Sequence, residues 1–434
     1  MICAFVIFGE INEQTTNFYN YKIRVITMLD FLRLAIPIIP THVRSLENNH
    51  WFTGDIRDFG IPAATRHVGK LDDGTTTTGE LYHPFESLPS DYTDMAMKFY
   101  THTINRTPYV EIKASPLKLL QGHNVYGFES IELGSDHMLG MLLEAFPQLA
   151  PILDLENTEV LHLDTTYLFR LPHQNMVQPT LDYMANLASG HRKARQIKYE
   201  NYITWGNDGA TVRPKAYGKF EEVKSQLHKL QKQADKGCMR SKSLVIAMNN
   251  ALPFANAVLR LEARICKTYL TKNGYPSNLF QLIKLQHEQP ELLLRLWHVA
   301  FDPILNTLKG KHMNFSNDGE ILDLFKSKLV TYTKTGKPSY TRANNAMKFY
   351  SLIRQIGLKA TKELYNERTF YDALKALELC EISKGHLQNL AKNPNGKVIP
   401  FVRLFELKMA EQLPPGYVLP VSQYTPKPRL HLVA

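Results

Sequence analysis

The stretch at residues 211–233 changes within a few positions from an extended pattern to that of a charged helix. Tyr217 lies in the extended part, between Lys215 and Lys219. Because side chains two residues apart on a strand point to the same face, the phenol is expected to share a face with both ammonium groups. Such a setting suits a bound phosphate group, and the positive charge favours the phenolate form of the tyrosine.

Two interpretations of Tyr217 follow from this pattern. In the first, the tyrosine attacks a phosphodiester and holds a DNA strand covalently, while the lysines contact the phosphate. In the second, it is a half-buried strand residue flanked by solvated lysines, since aromatic residues are common in strands. The residues themselves leave both interpretations open.

The composition excludes several classes of protein. The 434 residues suffice for two or three domains, with 44% apolar and 21% charged residues, as in globular proteins. No apolar run predicts a membrane span, and the apolar start has no basic leader of a signal peptide. The four cysteines lie far apart without a CxxC motif, which argues against zinc and disulfides and favours a reducing cytoplasm. No P-loop, Rossmann glycine pattern or HExxH is present, which argues against an ATPase, a dinucleotide enzyme or a zinc protease.

The positive charge is unevenly distributed. The chain carries a net charge of +10, and residues 311–434 hold 19 Lys and Arg against 10 Asp and Glu. Nearly all of the excess therefore lies in the C-terminal part. A basic terminal region suggests a polyanion such as nucleic acid as partner; the alternative is a helical domain that happens to be basic.

The periodicity predicts a mixture of strands and helices. Strands are expected from Met28 and at residues 95–100, 109–114, 158–169, 202–206 and 257–269, and a hairpin connection at 68–80. Helices are expected from Pro116 and at residues 137–153, 177–187, 221–236, 278–308 and 313–328. Residues 1–27 show little pattern and are interpreted as an N-terminal extension.

Three of the predicted strands each carry one acid, Glu111, Asp164 and Glu262, in apolar or basic surroundings. An acid in an apolar strand is costly unless it is paired or binds a cation. If the strands are neighbours, the acids could converge on Mg²⁺ or Mn²⁺, which prefer oxygen ligands. The alternative is that Glu262 pairs with Arg260 or Arg264 and the other acids pair in the same way.

Two basic stretches are candidates for contact with DNA. A loop near residues 190–200 contributes Arg192 and Lys193. Further along, a Gly-Lys-Pro turn between two short arms is followed by a helix, where basic and aromatic residues interleave. The basic residues are Lys334, Lys337, Arg342, Lys348 and Arg354, and the aromatic ones are Tyr332, Tyr340, Phe349 and Tyr350.

Several of these stretches closely resemble the gene II replication proteins of filamentous bacteriophages, the initiator nickases of rolling-circle replication. They are HPFESLP, VEIKASPLKLLQGHNV, the Asp164 strand, TW followed by AYGK, LRLEAR, GYPSNLF and MNFSNDGEILDLFKSK. They occur from about Met28 to the C-terminus.

The resemblance implies an α+β fold with a central antiparallel sheet, HUH-like as in rolling-circle initiators, and flanking helices. This nuclease domain would span residues 28–295, followed by a mainly helical, basic DNA-binding domain at 296–434. The family also makes a shorter product from an internal start, which Met313 matches.

The resemblance also implies the chemistry. Tyr217 matches the nucleophile and Lys219 the lysine two residues after it, and Glu111, Asp164 and Glu262 match the acids that hold Mg²⁺ or Mn²⁺. Lys215 is a candidate for contact with the DNA. His162 stands where related nickases have a His-x-His strand, but it is not expected to be a required ligand. The chain would nick one strand of the double-stranded phage origin and later rejoin the displaced single strand.

Partners and alternatives complete the expectations. The family implies a host helicase and polymerase as partners, no membrane, a location in the host cytoplasm and an oligomer on origin DNA. Two other functions remain open: a sequence-specific DNA-binding regulator without catalysis, and a metal nuclease that uses water while Tyr217 is structural. The set of Glu111, Asp164, Tyr217 and Glu262 favours the nickase, because a regulator does not need it.

Overall fold

The computed structural model describes residues 27–89, 91–189, 192–196, 202–207, 209–308, 318–391 and 412–425. For residues 188–189 and 192–196 it describes the backbone alone. The expected extension at residues 1–27, apart from Thr27, and the internal start at Met313 lie outside these ranges.

An eleven-stranded sheet forms the centre of the fold, and its paired strands all run antiparallel. Its strands are β1 (Met28–Pro37), β4 (Thr65–Lys70), β5 (Thr76–Glu80), β6 (Met95–Tyr100), β8 (Tyr109–Ala114), β9 (Glu159–Arg170), β10 (Ala188–Ser189), β11 (Arg192–Gln196), β12 (Tyr202–Trp205), β13 (Val212–Gly218) and β14 (Val258–Cys266). Their order across the sheet is β10-β11-β12-β13-β14-β9-β1-β8-β6-β4-β5.

Two smaller sheets accompany it. One contains β2 (Arg44–Ser45), β3 (His50–Phe52) and β7 (His102–Ile104), and the other is a hairpin of β15 (Thr331–Tyr332) and β16 (Pro338–Ser339). The helices are α1 (Pro116–Gln121), α2 (Ile131–Ala145), α3 (Val177–Met184), α4 (Lys219–Asp235), α5 (Met239–Ala255), α6 (Lys267–Lys272), α7 (Leu279–Glu288), α8 (Leu292–Leu305), α9 (Asp318–Leu329), α10 (Thr341–Ile356), α11 (Leu358–Glu363), α12 (Glu367–Leu379) and α13 (Lys384–Asn389).

Strict alternation in the central strands gives the large sheet one apolar and one charged face. In β14, Leu259, Leu261, Ala263 and Ile265 are buried in the main core, whereas the residues between them are Arg260, Glu262 and Arg264. Helices α2, α7 and α8 contribute buried side chains to the same core. The opposite face keeps its charges because they pair with one another, as described below.

A second core lies in the C-terminal part and is built from α9, α10, α12 and α13 together with Cys380 and Ile382. The segment at 412–425 then returns to the first core. There the side chain of Gln412 accepts from the backbone N–H of Leu168 and donates to its carbonyl, at 2.9 and 2.8 Å. The Tyr424 hydroxyl donates to Glu144 on α2. The fold expected from the sequence, a central antiparallel sheet with flanking helices and a helical C-terminal region, is confirmed. Among the residues described, no helix is both long and apolar enough to cross a membrane.

Most predicted elements are present, and the errors lie at their ends. The helix predicted at 137–153 in fact begins at Ile131, because the hydroxyl of Ser130 accepts from Leu133 N–H, and it ends at Ala145, shortly before Pro147. The strand predicted at 257–269 stops at Cys266, where α6 begins. Helix α5 follows α4 and was not predicted.

The predicted boundary after residue 295 falls inside α8. Trp297, on the far side of that boundary, is fully buried in the core of the large sheet, where its ring lies 5.2 Å from Tyr167 and 4.9 Å from Phe301. Its indole N–H donates to the carbonyl of Leu261 at 3.0 Å. All of α8 therefore belongs to the sheet's core.

Replacing Trp297 tests this assignment. Trp297→Ala is expected to lower the free energy of unfolding of the sheet core by about 3–5 kcal/mol, since it leaves a cavity in a close-packed core. Trp297→Phe, which keeps an aromatic ring but loses the N–H bond, should cost less. Denaturation followed by circular dichroism measures both; a loss of under about 1 kcal/mol for Trp297→Ala would contradict the assignment.

Candidate active site

A cleft of about 630 Å³ lies on the charged face of the large sheet. Its floor is formed by β1, β8, β9, β13 and β14, and its walls by the connection from β5 to β6 and by the first turns of α4. Tyr217, Glu262 and Asp164 line it together. The strand register explains this, because Tyr217 lies opposite Arg260 and Asp164 lies opposite Arg264 across neighbouring strands.

Tyr217 is almost fully buried, and its hydroxyl donates a hydrogen bond to Glu262 Oε2 at 3.2 Å. Burial raises the pKa of the phenol well above its ordinary value, and the negative charge of Glu262 raises it further, while Arg260 lowers it. The expectation that neighbouring lysines favour the phenolate is therefore wrong. The tyrosine is held as a neutral hydrogen-bond donor beside a carboxylate that can take its proton.

Glu262 is the natural acceptor of that proton. Burial raises the pKa of its carboxyl group, and the nearby negative charges of Asp30 and Asp164 add to the rise, whereas Lys215 lowers it. A carboxylate with a raised pKa is a stronger base than an ordinary glutamate. The predicted pairing of Glu262 with Arg260 or Arg264 is replaced by this contact with Tyr217.

The two predicted lysines differ in their positions. Lys215 lies opposite Glu262 in the register, with its Nζ 4.9 Å from the ring centre of Tyr217 and 4.4 Å from that of Tyr202. Lys219 is instead the first residue of α4, is fully buried and binds Asn124 Oδ1 at 2.9 Å and Glu222 at 2.5 Å. Burial lowers the pKa of Lys219 to about 8. Lys215 thus lines the cleft, whereas Lys219 supports the tyrosine from beneath.

A buried network under the cleft was not predicted. Arg260 has no exposed surface, forms an ion pair with Asp30 at 2.6 Å and donates to the backbone carbonyl of Asn124. The side chain of Asn124 also donates to Asp30 at 2.7 Å. Asp30 reaches this place because β1 contains a bulge between Leu29 and Phe31. The signal in the sequence was an acid inside the apolar run MLDFLRLAIP.

The three acids predicted as metal ligands are not gathered together. Asp164 accepts two hydrogen bonds from Arg264, both at 2.8 Å. Glu111 lies on β8, separated from Asp164 by β1, and pairs with Arg33. Within the described ranges, no group of three or more His, Cys, Asp and Glu side chains is arranged to hold a metal ion.

Two of the three acids nevertheless suit a cation better than the third. Asp164 and Glu262 lie on the same face of neighbouring strands and repel each other, which contributes to the raised pKa of Glu262. Beside Asp164, His162 is buried, and its Nε2 has no hydrogen-bond partner among the described residues. Burial and Arg264 lower the pKa of His162 to about 3, which keeps the ring neutral. These side chains offer oxygen and nitrogen donors to a divalent ion, but such an ion would have to compete with Arg264 for Asp164.

Cations that were not predicted line the rest of the cleft. Arg33 and Lys113 face each other across β1 and β8, and Lys113 Nζ lies 4.0 Å from the ring centre of Phe85. Burial lowers the pKa of Lys113 to about 8. With Arg264 and Lys215, they place a positive side chain on each of four strands in the cleft. A row of this kind is suited to a phosphodiester backbone.

The predicted basic hairpin and helix are present in the C-terminal part, but only part of the interleaved set is exposed. Lys334, Lys337, Arg342 and Lys348 are exposed, as are Tyr332 and Tyr340. In contrast, Phe349 and Tyr350 are buried in the second core, and Arg354 pairs with Asp318. The prediction that Phe349 and Tyr350 face DNA is wrong, because both are buried. Arg192 and Lys193 lie in β11, where only the backbone is described.

Comparison with known proteins identifies a family. A family model for the N-terminal part of the phage replication-associated protein, the gene II product, matches residues 28–289. The replication-associated protein of Enterobacteria phage M13 is 33% identical over 408 residues, covering 91% of this chain and 99% of that protein. The corresponding protein of Salmonella phage IKe is 31% identical over 415 residues, covering 91% and 97%.

A solved structure is also similar in part. The rolling circle replication initiator protein from Geobacillus stearothermophilus covers 62% of this chain and 84% of its own, with 10% identity and a TM-score of 0.26. A similarity this low supports no conclusion about the present chain.

The Tyr217–Glu262 contact predicts a measurable pKa change. Because the carboxylate raises the pKa of the phenol, Glu262→Gln is expected to lower it toward the ordinary tyrosine value. NMR of isotope-labelled tyrosine follows the titration, and Tyr217→Phe assigns the signal. Glu111→Gln, which removes a carboxylate outside this contact, serves as the control and should leave the titration unchanged. A Tyr217 pKa that does not move in Glu262→Gln would contradict the contact.

Proposed function

The chain belongs to the family of gene II replication-associated proteins of filamentous phages, and we propose that it is the nicking and joining enzyme of the phage origin. It would start and end rolling-circle replication through a 5′-phosphotyrosine intermediate. The observation that carries the proposal is the hydrogen bond from Tyr217 to Glu262 inside a cleft lined with cations. A DNA-binding regulator without catalysis does not need a buried tyrosine whose hydroxyl donates to a carboxylate.

The cleavage step is a transfer of the DNA phosphate to the tyrosine. As the Tyr217 oxygen bonds to phosphorus, its proton passes to Glu262, and the bond from phosphorus to the 3′-oxygen breaks. The leaving 3′-oxygen takes a proton from solvent and becomes the hydroxyl that primes synthesis. Lys215, Arg264 and Arg33 neutralise the phosphate oxygens as negative charge builds up on them.

The joining step reverses this chemistry. A 3′-hydroxyl gives its proton to solvent as its oxygen bonds to phosphorus, the bond from phosphorus to the Tyr217 oxygen breaks, and that oxygen takes the proton from the protonated Glu262. Glu262 therefore acts first as base and then as acid, as its raised pKa allows. Water does not attack phosphorus in either step, so the energy of the phosphodiester is conserved between nicking and closure.

A divalent cation is a further part of the proposal. Asp164 and Glu262 would hold Mg²⁺ or Mn²⁺, with the free nitrogen of His162 beside them. Such an ion would polarise the scissile phosphate. To bind it, Asp164 would have to share its oxygens between the ion and Arg264.

The C-terminal part would provide much of the non-specific affinity for duplex DNA. Its exposed basic hairpin and the first turns of α10 support this, together with the charge excess at residues 311–434. A host helicase and polymerase would act on the nicked origin in the host cytoplasm, with the protein held on the displaced single strand. The roles of the host proteins rest on the family alone.

Replacing the nucleophile tests the reaction. Tyr217→Phe removes only the reacting oxygen, and it is expected to retain origin binding while losing nicking by at least about a thousandfold. The measurement uses supercoiled origin DNA with Mg²⁺, followed by denaturing separation to detect a covalent protein–DNA adduct. Tyr202→Phe is the matched control, since Tyr202 lies directly opposite Tyr217 on β12 and shares Lys215. Normal nicking without an adduct would identify a water-using nuclease instead.

The cation is tested through binding. Mn²⁺ at a hundredfold excess over its dissociation constant should stabilise the folded protein by about 2.7 kcal/mol. Glu262→Gln is expected to remove most of this stabilisation, whereas Glu111→Gln should keep it, because Glu111 is engaged by Arg33. Thermal unfolding with and without Mn²⁺ measures the effect independently of nicking. Equal losses in both variants would contradict the assignment of the ligands.

A further inference from the structure

The β15–β16 hairpin and α10 contain no acids, and the first acid after them is Glu363, the last residue of α11. Residues 330–362 contain seven Lys and Arg and no Asp or Glu. Of the seven, Arg354 is engaged by Asp318 from α9. The stretch therefore contributes six further cations and no carboxylate, and an excess of positive charge of this kind attracts a polyanion.

Helix α10 has one side that is buried and one side that is exposed. Its inner side packs Ala343, Ala346, Phe349, Tyr350 and Ile353 into the second core. Among the exposed polar side chains of its outer side, three are each three residues from the next. They are Arg342, Asn345 and Lys348. Residues at this spacing lie on one stripe of a helix.

The composition of that stripe suits base edges as well as phosphates. Arginine pairs with the O6 and N7 of guanine, and asparagine with the N6 and N7 of adenine, in the major groove. Asn345 and Lys348 have no hydrogen-bond partner among the described residues. No aromatic side chain is exposed on α10, which disfavours stacking on single-stranded bases.

The neighbouring helix α12 is a poorer candidate. Its exposed side carries Arg368 and Lys375, but also Glu367, Asp372 and Glu378. These three carboxylates would face the phosphates of a bound duplex and repel them. Charge complementarity therefore selects α10 over α12.

We infer that α10 enters the major groove of duplex DNA and that Arg342 and Asn345 select the bases there. The hairpin lysines, Lys334 and Lys337, and Lys348 on α10 hold the flanking phosphates. The inference rests on the proposed function and adds to it the residues that recognise the origin. Arg342 and Lys348 are six residues apart, about 9 Å along the helix, which fits within a groove about 12 Å wide.

The experiment separates base contacts from phosphate contacts. Full-length protein, without divalent cation, selects its preferred sequence from a library of randomised duplexes. Affinities for that duplex and for an unrelated duplex are then measured over a range of salt concentrations. Asn345→Ala is expected to weaken the preferred duplex roughly tenfold, leave the unrelated duplex unchanged and relax selection at one or two base pairs.

The lysines should behave differently. Lys334→Ala combined with Lys337→Ala is expected to weaken both duplexes to the same degree and to flatten the salt dependence by about 1.8 in log–log slope. Lys375→Ala on α12 is the control on the other helix and should change neither quantity. Because all of these side chains are exposed, circular dichroism is expected to show an unchanged fold.

Each other outcome has a definite meaning. If Asn345→Ala weakens both duplexes equally, or changes nothing while the hairpin lysines act, then α10 does not select bases and the inference is overturned. If single-stranded DNA competes better than duplex, the inference is also overturned. If neither helix nor hairpin variants alter binding, the proposed grip of the C-terminal part fails too. Failure of Tyr217→Phe to stop nicking would remove the proposed reaction without touching these measurements.

Discussion

The fully buried guanidinium of Arg260 is the charge around which the rest of the sheet's polar face is arranged. Removing an ion from water costs several kcal/mol unless it is paired with good geometry. Asp30, brought in by the bulge in β1, and the backbone carbonyl of Asn124 pair with it from two directions, while its Nε has no hydrogen-bond partner among the described residues. The same Asn124 side chain bridges Asp30 and Lys219, so that β14, β1 and the start of α4 are fixed to one another. Tyr217 lies opposite Arg260 in the register, so that this network lies next to it and supports its hydrogen bond to Glu262 from the neighbouring strand.

This arrangement explains why the tyrosine is neutral in a site rich in cations. Positive charge stabilises a phenolate only where it exceeds the cost of desolvation, and burial is the largest influence on the pKa of Tyr217. Arg260 lowers that pKa, but its charge is already shared with Asp30. The protein thus provides a base at 3.2 Å instead of an ionised nucleophile. In the proposed reaction, the tyrosine would lose its proton only as its oxygen bonds to phosphorus, and it stays neutral while the cleft is empty.

The sequence alone predicts much of the sheet but little of the site's pairing. Alternation in β9 and β14 correctly places Asp164 and Glu262 on one charged face, because a period of two is a property of each strand. Pairing depends on strand order, and β1 lies between β8 and β9, which separates Glu111 from Asp164. No local pattern encodes that order. Strand spacing likewise suggests that Lys219 shares the face of Tyr217, but the chain turns into α4 at that residue and buries its amine.

The cations of the cleft and those of the C-terminal part differ in whether they are paired with carboxylates. In the cleft, Arg33 and Arg264 are each paired with a carboxylate, and so is Arg260 beneath it, so that these arginines add little net attraction for DNA. The hairpin and α10 carry no acids of their own, and their exposed lysines act within a Debye length, about 8 Å at physiological ionic strength. Salt should therefore weaken binding far more than it slows the chemical step on DNA already bound. The pairing in the cleft instead fixes the orientation of Arg33 and Arg264, because each guanidinium is held by a carboxylate on a neighbouring strand.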